Sequence, residues 1–302
     1  MNLLAALLLV ASQAAPAGRP EVDRKEDVIY GRKFGLAMTM DVFVPKGKKN
    51  GAGVIYAVSG GWFSNKQPVA QPVYDAFLSR GYVVFAVTHG SQPRFTIPEV
   101  LEDMHKAVRF IKANAKKYGV DPDKLGIAGG SAGGHLSLMQ GNAPKPADPE
   151  AQNPAERISS KVAAVACFFP PTDFLNYGKP GEEALGAGIL KNFKAPFDFV
   201  QLDQVTRAYY VIPDQGRRRE IGKQISPVYH VTDKAPPTLI VHGDADTLVP
   251  IQQAELMIEK LKEHKVPCEL AVKPKAGHGW PGLDKDFVLL ADWFDKHLAK
   301  KD

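Results

Sequence analysis

The chain has 302 residues, 44% hydrophobic and 24% charged, with a net charge of +5. That size fits one large α/β domain or two small ones, and the apolar content excludes a disordered chain. The basic residues are scattered apart from Arg217-Arg218-Arg219, so a solvated surface accounts for the charge and no arm suited to nucleic-acid phosphates is read.

Residues 3–10 form an apolar run, followed by Ser12-Gln13-Ala14 and Ala15-Pro16-Ala17, two small-x-small sites. This predicts an exported protein, secreted or periplasmic, with residues 1–17 as signal peptide and 18–302 as the mature domain. The run falls short of the roughly 20 apolar residues that a membrane-spanning helix needs, so no membrane span is expected.

Strand-like and helix-like patterns then alternate. A strand at 38–44 stops at Pro45 and Gly47, and a buried strand at 54–58 runs into Ser59-Gly60-Gly61-Trp62. A helix is expected over 69–80, stopped by Gly81, then a strand over 82–87. Pro98 opens a long helix in which Leu101, Met104, Val108, Ile111, Ala115 and Tyr118 recur at steps of three and four, and Gly119 ends it. A strand at 124–129 leads to a helix from Ala132. Further strands at 162–169, 238–241 and 268–272 are interleaved with helices at 251–264 and 287–298. This alternation predicts right-handed crossovers and a mostly parallel sheet flanked by helices. Two stretches break the rhythm: 141–155, read as a surface loop, and about 170–234, read as a small cap inserted over the sheet where ligands enter. Cys167 and Cys268 lie in apolar strand-like runs and read as buried free thiols; no cluster has metal-ligand spacing.

Gly129-Gly130-Ser131-Ala132-Gly133 is a G-x-S-x-G match between a predicted strand and a predicted helix, which is what a nucleophile elbow requires. A Gly-rich turn holding a phosphate is the rival reading. A serine hydroxyl needs a base, most often histidine. Of eight histidines, His105, His264 and His297 read as surface or capping residues, His135 as packing along the nucleophile helix, and His230 as part of the insertion. His89 and His242 end strands and border the site. His278 sits in a Gly-flanked loop after the last strand, where the third member of the triad is expected. The base needs a carboxylate to fix its tautomer. Asp246 is chosen, and Asp244 is read as bonding loop amides. Two backbone amides should hold the oxyanion: that of Ala132, and one from the Gly60-Gly61-Trp62 loop, Gly61 first and Trp62 next. Trp62, Phe63 and Trp280 flank the site and read as substrate-stacking or core residues.

Four motifs in order carry a resemblance: Gly60-Gly61-Trp62-Phe63, Gly129-Gly130-Ser131-Ala132-Gly133-Gly134-His135, the run from His242 to Pro250, and Gly277-His278-Gly279-Trp280. They span about 27–298 and resemble the α/β-hydrolase superfamily, specifically the secreted carbohydrate-esterase branch related to bifunctional acetylxylan and feruloyl esterases, near the hormone-sensitive-lipase-like esterases. The resemblance implies an eight-stranded α/β-hydrolase fold, a Ser131–His278–Asp246 acyl-enzyme mechanism without metal or organic cofactor, and acetyl or feruloyl-type esters, including those of plant polysaccharide, as substrates. Related lipolytic esterases carry His-Gly-Gly-Gly before the tryptophan. Here the run is Val58-Ser59-Gly60-Gly61, so the histidine that braces that loop is missing. Two rival functions share these features: a serine peptidase of the prolyl-oligopeptidase type, and a hydrolase fold kept as a non-catalytic binding module.

Overall fold

A computed structural model describes residues 18–66 and 69–298; the expected signal peptide lies outside them. In chain order the strands are β1 Val22–Lys33, β2 Leu36–Pro45, β3 Gly53–Ala57, β4 Val83–Val87, β5 Leu125–Gly130, β6 Ala164–Phe168, β7 Val200–Leu202, β8 Tyr209–Val211, β9 Thr238–Gly243 and β10 Cys268–Lys273. The helices are α1 Asp75–Leu78, α2 Ile97–Tyr118, α3 Ala132–Asn142, α4 Gln215–Gln224, α5 Gln252–Glu263 and α6 Phe287–Leu298. Eight strands form one sheet in the order β1-β2-β4-β3-β5-β6-β9-β10; β1–β2 and β2–β4 are antiparallel and the other neighbours parallel. This is the α/β-hydrolase fold.

The central strands are apolar on both faces because helices cover both. All five residues of β4 and of β6 are buried. Met40, Val42, Ile55 and Val87 join residues of α2, α3 and α5 in one core layer, while Phe43, Val54, Val84 and Ala86 join α1 and α6 in the other. Each of these side chains larger than alanine contributes about 1.5–3 kcal/mol by leaving water. Gly126 of β5 admits the ring of Phe294 so closely that a Cβ there would come within 2.6 Å of it.

Local chemistry fixes the long helix. Thr96 and Glu99 close a capping box at the start of α2, and Gly119 ends it with φ +73. The helix expected over 69–80 is shorter. Pro72 lacks an N–H and restrains the residue before it, and the segment is a 3-10 turn at Gln71–Tyr74 followed by the single turn of α1.

The segment 170–234 adds no strand to the main sheet. It holds short 3-10 turns, the β7–β8 hairpin and α4. Side-chain bonds anchor it. Gln253 Oε1 accepts the amides of Thr172 and Asp173 at 2.8 and 2.7 Å, and the Tyr177 hydroxyl donates to the Leu248 carbonyl at 3.1 Å. Among the described residues no helix is long and apolar enough to cross a membrane, and both cysteines are free.

Candidate active site

Because β3, β5, β6, β9 and β10 run parallel, the loops after them gather at one edge of the sheet. The sharpest is at Ser131, between β5 and α3, with φ 54° and ψ −121°. A side-chain residue with positive φ costs about 1–3 kcal/mol, and the surroundings hold it there. A Cβ on Gly129 would come within 2.5 Å of the Gly133 carbonyl, and one on Gly133 within 2.5 Å of the Ala57 carbonyl oxygen. Only glycine lets strand and helix meet this closely, so the serine is pushed out at the tip of the turn.

His278 Nε2 lies 2.9 Å from Ser131 Oγ, and His278 Nδ1 lies 2.7 Å from Asp246 Oδ2. The other carboxylate oxygen of Asp246 accepts the amides of Leu248 and Val249, each at 2.9 Å. Burial pushes the Asp246 carboxyl up. Hydrogen bonds from His242, His278 and the Val249 amide outweigh that and hold it well below the usual carboxylate range. An ionised Asp246 can only accept, so Nδ1 of His278 carries the proton and Nε2 is free to take one from the serine hydroxyl. Asp244 does not join them: its carboxylate accepts the Lys275 amide at 2.5 Å. His242, the strand-end histidine, donates from Nε2 to the Val249 carbonyl at 2.8 Å and stands 3.5 Å from Asp246 Oδ2, so it supports the carboxylate from beneath.

The loop after β3 is closed by Gly60 and Phe63, which exchange amide-to-carbonyl bonds of 2.9 Å. That leaves Gly61 and Trp62 at its tip, both with positive φ (55° and 59°). Their amides donate to nothing among the described residues. Ala132 opens α3, and its amide is one of those a helix start leaves unpaired. Beyond the tip, Ser64 Oγ donates to the Val58 carbonyl at 2.6 Å.

The three aromatic residues expected beside the site separate. Phe63 is 46% exposed and lines a cleft of about 460 Å³ that also includes Ser131. Of the two readings of Trp62, stacking or core, the structure shows the core one. Its indole is 2% exposed and packs on His135, Phe174 and Phe197, so it offers no face to a ligand. Trp280 is pinned by a 2.7 Å bond from Nε1 to Asp286 and packs edge-on to Phe168 and Phe169, behind the cleft lining rather than in it.

The cleft also has aromatic residues that were not anticipated. Phe169 follows β6 with φ +34 and sets its ring 4.5 Å from that of His278. Tyr56 and Tyr74 form one wall; burial pushes the Tyr56 phenol up to about 12 and that of Tyr74 higher still, so both are neutral donors. The alternation of β3 could have flagged Tyr56, the one residue of that strand that is not fully buried. Ser59 adds a buried hydroxyl with no partner among the described residues. Among those residues no group of three or more His, Cys, Asp or Glu is arranged to hold a metal.

The arrangement sets a serine hydroxyl within hydrogen-bonding distance of an imidazole and follows a loop with unpaired amides, a geometry suited to adding a nucleophile to a carbonyl. The BD-FAE family profile matches residues 40–261. A probable carboxylic ester hydrolase, LipM, of Mycobacterium tuberculosis is 31% identical over 84% of this chain and 56% of its own length. The chain spans about half the length of the curated relatives it matches. Among solved structures, a truncated carbohydrate esterase from gut microbiota superposes with TM-score 0.74 at 24% identity, covering 94% of this chain and 99% of that one. A propionate-bound thermophilic esterase of Thermogutta terrifontis superposes with TM-score 0.66 at 26% identity, covering 94% and 97%.

Proposed function

The chain belongs to the BD-FAE family, and on that premise we propose that it is a carboxylic ester hydrolase in which Ser131 is the nucleophile. The observation that carries the proposal is the continuous chain Ser131 Oγ to His278 Nε2 (2.9 Å) and His278 Nδ1 to Asp246 Oδ2 (2.7 Å) at the edge of an open cleft.

In this reading Ser131 Oγ attacks the ester carbonyl carbon as His278 Nε2 removes the hydroxyl proton. Negative charge collects on the carbonyl oxygen, where the amides of Ala132 and of Gly61 or Trp62 donate to it. His278 gives its proton to the departing alkoxide, the C–O bond breaks and the alcohol leaves. Water, deprotonated by His278, then attacks the acyl-serine carbonyl, the acyl–Oγ bond breaks as His278 returns the proton to Ser131 Oγ, and the acid is freed. Asp246 stays ionised throughout and stabilises the imidazolium. Replacing Ser131 by Ala abolishes hydrolysis of p-nitrophenyl acetate while leaving thermal unfolding unchanged; retained turnover overturns the assignment.

For substrates the proposal extends to acetyl or feruloyl-type esters on plant polysaccharide. The aromatic cleft wall of Tyr56, Phe63, Tyr74 and Phe169 supports this, being suited to a sugar ring or an aromatic acyl group. Release of acetate or ferulate from xylan tests it. Segment 170–234 acts in this reading as a cap beside the cleft. The apolar run at 3–10 supports export, which N-terminal sequencing of the mature protein tests.

A further inference from the structure

His135 stands four residues after Ser131 on α3, is fully buried and is bonded at both ring nitrogens. The Trp62 indole N–H, which can only donate, points to Nδ1 at 3.1 Å. Nδ1 must therefore accept, the proton sits on Nε2, and Nε2–H donates to the Ile225 carbonyl at 2.6 Å. Burial pushes the imidazole down to about 4, which keeps this neutral form in place. One side chain thus connects the loop after β3 to the end of α4.

We propose that His135 is a positioning residue that locks the Trp62 loop, and with it the amides of Gly61 and Trp62, to the segment 170–234. The inference rests on the reading of those amides as oxyanion donors.

Three observations carry it. First, the loop tip does not hold itself: Trp62 sits at φ +59, where a non-glycine residue is strained, so outside contacts must keep it there. Second, beside the 3.4 Å bond from the Gln92 amide to the Trp62 carbonyl, aromatic contacts on the tip come from the segment 170–234. The rings of Phe174 and Phe197 pack on the indole with centroids 5.7 and 5.2 Å away. Phe193 lies so close to Gly61 that a Cβ would come within 2.6 Å of its ring. Third, the far anchor is rigid. Ser226, next to Ile225, accepts the Phe174 amide at 3.0 Å and donates to the Gly222 carbonyl at 2.7 Å. A buried imidazole is costly where an aliphatic side chain would fill the space. The Trp62–His135 bond ties the loop to α3.

The test is steady-state kinetics on p-nitrophenyl acetate, with phenylboronic acid as a tetrahedral mimic whose oxygen occupies the oxyanion position. His135→Asn keeps an acceptor near Nδ1 for the indole; His135→Gln keeps only a donor near Nε2 for Ile225. Trp62→Phe and His135→Gln are expected to lower kcat by about tenfold or more with KM within about twofold, and to weaken phenylboronic acid in proportion. His135→Asn, which keeps the indole acceptor but loses the link to Ile225, is expected to lose activity in the same way. Wild-type kcat in Trp62→Phe, His135→Gln or His135→Asn overturns the proposal, as does lost activity with unchanged boronate affinity. Ser131→Ala separates the layers: wild-type hydrolysis in that variant removes the oxyanion reading itself, whereas its loss leaves the brace to be judged on its own measurements.

Discussion

Gly243, at the end of β9, lies against the Ala276 carbonyl with no room for a Cβ between them. The same carbonyl accepts the Ala245 amide at 2.9 Å. These contacts set the spacing of the loop that carries Asp246 and the loop that carries His278. Gly243→Ala forces them apart, at an overpacking cost of about 1–3 kcal/mol. The variant should melt several degrees lower and lose ester hydrolysis at least in proportion to the misplaced His278. Scanning calorimetry and p-nitrophenyl ester kinetics check this; wild-type values in both would contradict it.

Asp246→Asn keeps the size of the side chain and removes its charge. An amide presenting its NH₂ to Nδ1 favours the wrong imidazole tautomer, leaving Nε2 protonated against Ser131. A fall in kcat of about four orders of magnitude is expected, with little change in KM. A loss of less than tenfold would show that His278 needs no ionised partner.

The buried histidines make stability depend on pH. Burial is the main cause that pushes His89 and His135 down to about 4 in the folded chain, from 6.5. Between those values the unfolded chain binds more protons than the folded one. The stability they support is complete above pH 6.5 and is lost as pH falls towards 4, on the order of 3 kcal/mol for each. Asp103, whose carboxyl burial pushes up, acts in the opposite sense and reduces the slope. Urea midpoints should drop between pH 7 and pH 5, and less steeply in His89→Asn. A flat profile would contradict the neutral, buried assignment.

Much of this was legible in the sequence for specific physical reasons. The G-x-S-x-G turn, the strand-end Asp246 and the Gly-flanked His278 could be read because small residues must stand where backbones touch, as Gly129 and Gly133 show. The stripe of α2 and the bounds of α6 followed from periodicity and agree with the structure. β1 was not legible: Val22–Lys33 is a mostly exposed edge strand whose charged residues hide its pattern, and its hairpin is fixed by positive φ at Phe34 and Gly35. Nor was the burial of His105, which sits mid-helix yet bonds Ser160 at 3.1 Å. The roles of Trp62 and His135 depend on contacts with segment 170–234, and no local pattern encodes those.

Phe63 tests the cleft as an acyl or sugar site. It is half-exposed and lines the cavity beside Ser131. Phe63→Ala should raise KM for aromatic-acyl esters by roughly threefold to tenfold, the worth of one ring contact, while leaving kcat for p-nitrophenyl acetate near wild type. Equal KM values for Phe63→Ala and the wild type on feruloyl esters would place the aromatic group elsewhere.

The central claim is that Ser131 is the atom that carries the acyl group. Its most direct test is to treat the protein with a fluorophosphonate and map the adduct by peptide mass spectrometry. The adduct is expected on the peptide containing Ser131, at one per chain, with loss of hydrolysis in step with labelling and no labelling of Ser131→Ala. An adduct on another residue, or full activity in a chain labelled at Ser131, would contradict it.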